Sequence, residues 1–125
     1  MQTQINRGEI WLTNIGEGVG SVQGGMMRPM IIISNPMCCK FSPVLHSVPT
    51  TSQPKRWMPT HVEIPTSSGL LKKSTALVEQ TMLLPKEAYI KCIGYCESNI
   101  MDKIDDCIAI QFGIVQTDRN NVQYA

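Results

Sequence analysis

From Glu9 to Cys96 the apolar residues of this 125-residue chain come in runs of four to eight, each closed by turn formers. Only beyond Ser98 does a helical period appear. Runs of that length suit strands and are short for helices. Six segments have this character: Glu9–Leu12, Pro29–Ser34, Val44–Pro49, His61–Ile64, Thr75–Glu79 and Tyr89–Cys96. Pro29–Ser34 has the strongest strand signal. It holds three successive β-branched residues, Ile31, Ile32 and Ile33, and Pro29 stands at a first position that tolerates a missing N–H. Asn35-Pro36 closes it, Phe41-Ser42-Pro43 turns into the third run, and residues 50–60 form a loop of turn-forming residues.

The helical segment is amphipathic. Met101, Ile104, Ile108 and Val115, with Ile100, Cys107 and Phe112 beside them, recur at helical steps, while Asp102, Lys103, Asp105 and Asp106 fill the other face. Ser98 is the expected N-cap and Gly113 the expected C-terminal stop. The pattern predicts a mainly β domain over residues 1–115, with a C-terminal helix capping a small twisted barrel or half-barrel, and a polar tail over 116–125. The length suits one domain with a real core.

Composition narrows the function. The net charge of +1 does not announce a nucleic-acid binder. Residues 101–125 hold two basic and four acidic side chains, so the basic excess lies earlier in the chain. No apolar stretch approaches the ~20 residues of a membrane helix. The polar residues Met1–Asn6 carry no signal-peptide pattern, so the cytoplasm is the expected location. The five cysteines (38, 39, 92, 96 and 107) are an odd number without zinc-ligand spacing, and His46 and His61 have no matching cysteine pair. Free thiols, no structural metal and no cofactor are therefore expected.

Chemistry concentrates before the strongest strand. Gly16, Gly18, Gly20, Gly24 and Gly25 fall within ten residues, and Arg28-Pro29 follows. Such a backbone can come close to a ligand, and the arginine sets a planar multi-donor cation beside it, a combination suited to phosphate. The Gly-Lys-Ser/Thr ending of a P-loop is absent and a strand follows, so a nucleotide cofactor is not expected. Thr50-Thr51-Ser52-Gln53 offers hydroxyls and an amide, and Glu79-Gln80-Thr81 offers acid, amide and hydroxyl. Trp57 and Met58, next to Lys55 and Arg56, either stack on a base or fold back over the core.

Taken together and in order, several short motifs resemble the MazF/PemK family of toxin endoribonucleases, in particular its MazF branch from Gram-positive bacteria. They are Arg7-Gly8-Glu9-Ile10-Trp11, Gly20-Ser21-x-Gln23-Gly24-Gly25, Arg28-Pro29, Ser34-Asn35, Phe41-Ser42-Pro43, Pro59–Ile64, Glu79-Gln80 and Met101-Asp102-Lys103-Ile104. The resemblance runs from Arg7 to Val115. It implies an SH3-like β-barrel working as a homodimer, with a MazE-like antitoxin as partner. It implies metal-independent, sequence-selective cleavage of single-stranded mRNA by the substrate's own 2′-OH, leaving 2′,3′-cyclic phosphate and 5′-OH ends. The family's two catalytic positions correspond to Arg28 and Thr51. RNA contacts are expected from Gly20, Ser21, Gln23, Gly24 and Gly25, from Ser52, Gln53, Trp57 and Met58, and from Glu79 and Gln80.

Some positions depart from the family pattern. The Gln53–Pro59 loop is one residue shorter than in the MazF branch, Pro49 and Pro54 bracket Thr51, and Cys38-Cys39 replaces polar loop residues. The PemK branch carries Arg-x-Asp where this chain has Leu77 and Glu79. The same barrel also serves CcdB-like toxins, which bind DNA gyrase without catalysis. Their activity depends on a tryptophan-bearing C-terminal end, and the last 60 residues here contain no tryptophan.

Overall fold

The computed structural model describes residues 4–16 and 27–115. Seven strands and two α-helices follow in the order β1 (Glu9–Asn14), β2 (Met27–Ile32), α1 (Pro36–Phe41), β3 (Val44–Thr51), β4 (His61–Ile64), β5 (Ser74–Leu77), β6 (Met82–Pro85), β7 (Tyr89–Tyr95) and α2 (Ser98–Gln111). The expected mainly β fold with a C-terminal helix is present. All pairings are antiparallel, in the path β4-β5-β3-β2-β1-β7, with β6 beside the first half of β3.

The sheet is buried on both faces near β2, which explains why that strand reads as a continuous apolar run. Met30, Ile31 and Ile32 are all fully buried. Ile31 joins Ile10, Val48, Val62 and Ile64 under Ile100, Met101, Ile104 and Cys107 of α2. Met30 and Ile32 point the other way, into Trp11, Leu45, Tyr89 and Cys39 of α1. Each such side chain contributes about 1.5–3 kcal/mol by leaving water, so two small cores hold the sheet from opposite sides.

The ladder does not close into a hydrogen-bonded barrel among the described residues; β4 and β7 are its ends. The ends meet through backbone contact instead. The single turn Thr66–Ser68 after β4 finishes at Gly69, φ +111°, and lies against Ile93 and Gly94 of β7. A Cβ added at Gly94 would stand 1.8 Å from the Ser68 carbonyl oxygen. Only glycine lets the two chains approach so closely.

Five local expectations are corrected. Asn35-Pro36 starts a helix as well as ending a strand: the Asn35 side chain accepts from the Cys38 N–H at 2.8 Å, and Pro36 occupies the first turn, where no N–H is needed. Phe41 is therefore the last residue of α1, not part of a turn. Met82–Pro85 is a seventh strand, paired with Val44–Ser47. Val78–Gln80 leaves the fifth strand as a 3₁₀ turn. In α2 the capping position is Glu97, whose carbonyl accepts from Ile100 and Met101, and Ser98 is the first helical residue. The far end stops as expected: Gly113, φ +74°, donates to Ile110, and Ile114 donates to Ala109, a Schellman closure.

Candidate active site

β2 and β3 pair as Met30 with Pro49, Ile31 with Val48 and Ile32 with Ser47. The same register carried two residues further sets Pro29 opposite Thr50 and Arg28 opposite Thr51. Prolines 29 and 49 lack the N–H that would continue the ladder. Side chains take over: Thr50 Oγ1 donates to the Pro29 carbonyl at 3.1 Å, and Arg28 Nη2 donates to the Thr50 carbonyl at 3.1 Å. The Arg28 guanidinium is thus held at the peptide that leads into Thr51.

The chain's two best-placed arginines differ in what they face. Arg7 donates through Nε to the Ile33 carbonyl at 3.0 Å and pairs with Asp105 of α2, so it clips the helix to the sheet. Arg28 is half-buried and, among the described residues, has no carboxylate partner. A guanidinium carries five donors. One contact to a carbonyl leaves a desolvated cation with spare donors, a setting that favours a ligand anion.

Thr51 ends β3. Its Oγ1 accepts from the Gln53 N–H at 3.1 Å, which fixes the oxygen and leaves its proton available to a ligand. The loop after it presents Ser52 and Gln53 to solvent, with Trp57 (55 %) and Met58 (40 %) exposed, so Trp57 does not fold back over the core. The loop re-enters the sheet where the Met58 carbonyl accepts from His61 N–H at 3.0 Å. Gly20, Ser21, Gln23, Gly24 and Gly25 lie outside the described residues.

Glu79 and Gln80 sit beyond β5. Gln80 is exposed. Both oxygens of Glu79 have protein partners: Oε1 accepts from Thr60 Oγ1 at 2.7 Å, and Oε2 meets His61 Nε2 at 3.1 Å. Burial pushes the carboxyl up, but the hydrogen bonds from Thr60, its own backbone and His61 outweigh it and hold Glu79 below the ordinary carboxylate range. Glu79 therefore ties down the end of the 52–60 loop. Thr60 and His61, its partners, stood in the Pro59–Ile64 motif without an assigned role, because that role arises from where β4 lands beside the 3₁₀ turn. No group of three metal-ligating side chains occurs among the described residues. An apolar cavity of about 350 Å³ lies elsewhere, against α2, lined by Ile33, Ile108 and Phe112 with Arg7, Asp105, Ser34 and His46.

The antiparallel sheet with its C-terminal helix is a fold represented among solved structures. An endoribonuclease from a mycobacterial species has a TM-score of 0.75 at 19% identity, over 94% of this chain and 99% of the other. MazF from Deinococcus radiodurans gives 0.76 at 18% identity, over 90% and 99%. A mycobacterial endoribonuclease in complex with its cognate antitoxin gives 0.75 at 21%, over 90% and 99%. These likenesses establish the fold. Residues 6–112 match the family described as PemK-like, MazF-like toxin of type II toxin-antitoxin system. Endoribonuclease EndoA of Bacillus subtilis (strain 168) is 32% identical over 113 residues, covering 89% of this chain and 97% of that protein. The chain belongs to the PemK-like, MazF-like toxin family.

Proposed function

We propose that this toxin is an endoribonuclease that cleaves single-stranded RNA at Arg28 and Thr51. The observation that carries this reading is the Arg28 guanidinium, free of any described carboxylate and held 3.1 Å from the Thr50 carbonyl, across the strand pair from Thr51. The named activities of EndoA and of the matched structures support it.

In this mechanism the ribose 2′-oxygen forms a bond to phosphorus and the bond from phosphorus to the 5′-oxygen breaks. The 2′-OH loses its proton and the leaving 5′-oxygen gains one, giving a 2′,3′-cyclic phosphate and a 5′-OH. Negative charge develops on the non-bridging oxygens in the transition state, where the guanidinium donors stabilise it. The planar multi-donor fork makes charge stabilisation the main role of Arg28, ahead of proton donation. A threonine hydroxyl is too weak a base to take the 2′ proton and acts by orienting the 2′-OH or a phosphate oxygen. Much of the rate then comes from holding the RNA splayed for in-line attack.

Ser52, Gln53, Trp57, Met58 and Gln80 offer stacking and edge hydrogen bonds to unstacked bases, and Gly20, Ser21, Gln23, Gly24 and Gly25 are expected as further RNA contacts. Glu79 supports this surface from behind. The partners are a second copy of the chain and a MazE-like antitoxin, and the setting is the cytoplasm. Purified protein is expected to cut single-stranded RNA in the presence of EDTA. A 2′-deoxyribose upstream of the scissile phosphate should abolish cutting, and Arg28→Ala should slow it ~10²-fold or more. Cutting of the deoxy-substituted strand would refute 2′-OH attack, and loss of activity in EDTA would refute the metal-free route.

A further inference from the structure

The sheet register carries the site one strand further than Arg28 and Thr51. Thr51 pairs with Thr75 of β5, and Thr75 pairs with Glu63 of β4. On the other side Arg28 pairs with Thr13 of β1. Residues directly opposed in antiparallel strands project from the same face, ~4.5–5.5 Å apart. Arg28, Thr51, Thr75 and Glu63 therefore form one polar row across β2, β3, β5 and β4. Its neighbours in β5 behave differently: Ala76 is fully buried in the core under α2, and Leu77 is 2% exposed.

The row opens to solvent as it leaves Arg28. Thr13 is fully buried, Arg28, Thr51 and Thr75 are half-buried, and Glu63 is exposed. Thr13 Oγ1 is occupied by the Trp11 carbonyl at 2.7 Å and Thr51 Oγ1 by the Gln53 N–H. Thr75 Oγ1 has no hydrogen-bond partner among the described residues. At the end of the row Lys73 Nζ meets Glu63 Oε1 at 2.8 Å, which offsets the one carboxylate that would repel a polyanion.

We propose that Thr75 is a substrate-contacting specificity residue, its hydroxyl hydrogen-bonding the nucleotide attached to the scissile phosphate on the side away from Arg28. This rests on the RNA-cleaving reading of Arg28 and Thr51. A step of one strand from Thr51 keeps Thr75 within reach of that nucleotide's ribose or base edge. Thr75 is half-buried and its hydroxyl has no partner among the described residues, so an RNA donor or acceptor gains a bond there without displacing a described protein one. The Lys73–Glu63 pair limits the row at its outer end.

The test uses Thr75→Val, which keeps the shape and β-branching and removes the hydroxyl, and Thr75→Ser, which restores the hydroxyl. Cleavage is read as kcat and KM on a single-stranded RNA that the unmodified protein cuts, and as the base preference around mapped 5′-hydroxyl ends. Thr75→Val is expected to lower kcat/KM about tenfold and to relax base preference at one position beside the cut. Thr75→Ser should return within about threefold, with the original preference. A merely structural threonine would shift melting temperature and leave the base preference unchanged. Thr75→Val with unaltered kcat/KM and preference overturns the inference while the RNA-cleaving reading stands. Absence of RNA cleavage by the unmodified protein overturns both.

Discussion

The contact that brings the two ends of the sheet together makes Gly94 a strong test of the fold. Alanine at this position places a Cβ 1.8 Å from the Ser68 oxygen, 2.9 Å from the Ser68 carbonyl carbon and 3.0 Å from the Gly69 Cα. An ordinary contact begins near 3.4 Å, so the first distance falls short by 1.6 Å (3.4 − 1.8). The opposing atoms are backbone, and no side-chain rotation relieves them. The Thr66–Gly69 turn must lift from β7, opening the contact that joins the ends of the sheet. Overpacking of this kind costs about 1–3 kcal/mol, and backbone against backbone belongs at the upper end. About 3 kcal/mol is a large part of a small domain's ~5–15 kcal/mol and corresponds to a fall in Tm of roughly 10–15 °C for this length. Thermal and urea unfolding measure it. Gly113→Ala serves as the comparison, since Gly113 has φ +74° with nothing within 4 Å of an added Cβ, leaving only ~1–2 kcal/mol of backbone strain. If Gly94→Ala melts within about 3 °C of the unmodified protein, the contact between Ser68–Gly69 and Ile93–Gly94 is not what closes the sheet.

Three further outcomes follow from the same geometry. Glu79 has a depressed carboxyl pKa, so its stabilisation is present above the ordinary value of 4.5 and is lost as pH falls through the lower folded value. The Tm difference between the unmodified protein and Glu79→Gln should therefore be largest near neutral pH and shrink below about pH 4.5; a difference that is constant from neutral to acid pH would remove Glu79 as the charged anchor of Thr60 and His61. Arg28→Lys should fold normally yet cut RNA at least ~10-fold more slowly, because a point charge lacks the guanidinium fork; activity equal to that of the unmodified protein would mean that charge alone suffices. Burial raises the thiols of Cys96 and Cys107 to about 11, so a thiolate-directed reagent at pH 8 should label exposed Cys92 and half-buried Cys38 in the folded protein and reach 96 and 107 only in denaturant; rapid native labelling of Cys107 would place the α2 face in solvent.

The apolar runs located six of the seven strands, because a strand buried on one or both faces writes its own period into the chain. Met82–Pro85 escaped, since three of its four side chains are exposed and its place comes from the backbone of Val44–Ser47 alone. Asn35-Pro36 reads only as the end of a strand, because the six residues of α1 are too few to show a helical period. The end of α2 was legible to the residue in Gly113, because a left-handed closing residue demands glycine, while its start was displaced by one: the extended capping residue is Glu97 and Ser98 already lies in the helix.

For the site, local sequence singled out Arg28, Thr51, Glu79 and the 52–60 loop, and the family motifs gave them expected roles. What no local pattern contained was the register. Whether Thr75 stands beside Thr51, whether Arg28 or Arg7 finds a carboxylate, and whether Glu79 faces solvent or Thr60 and His61 all depend on contacts across 18 to 98 residues of chain. Local sequence carried six of the strands, the C-terminal helix, their order and the kind of chemistry available, since burial and turn formation act on neighbouring residues. The fold brought Arg28 to the Thr50 carbonyl with no carboxylate partner among the described residues, set Arg7 against Asp105 and aligned Thr51, Thr75 and Glu63, because antiparallel pairing and the close approach at Gly94 are contacts between segments that local sequence cannot align.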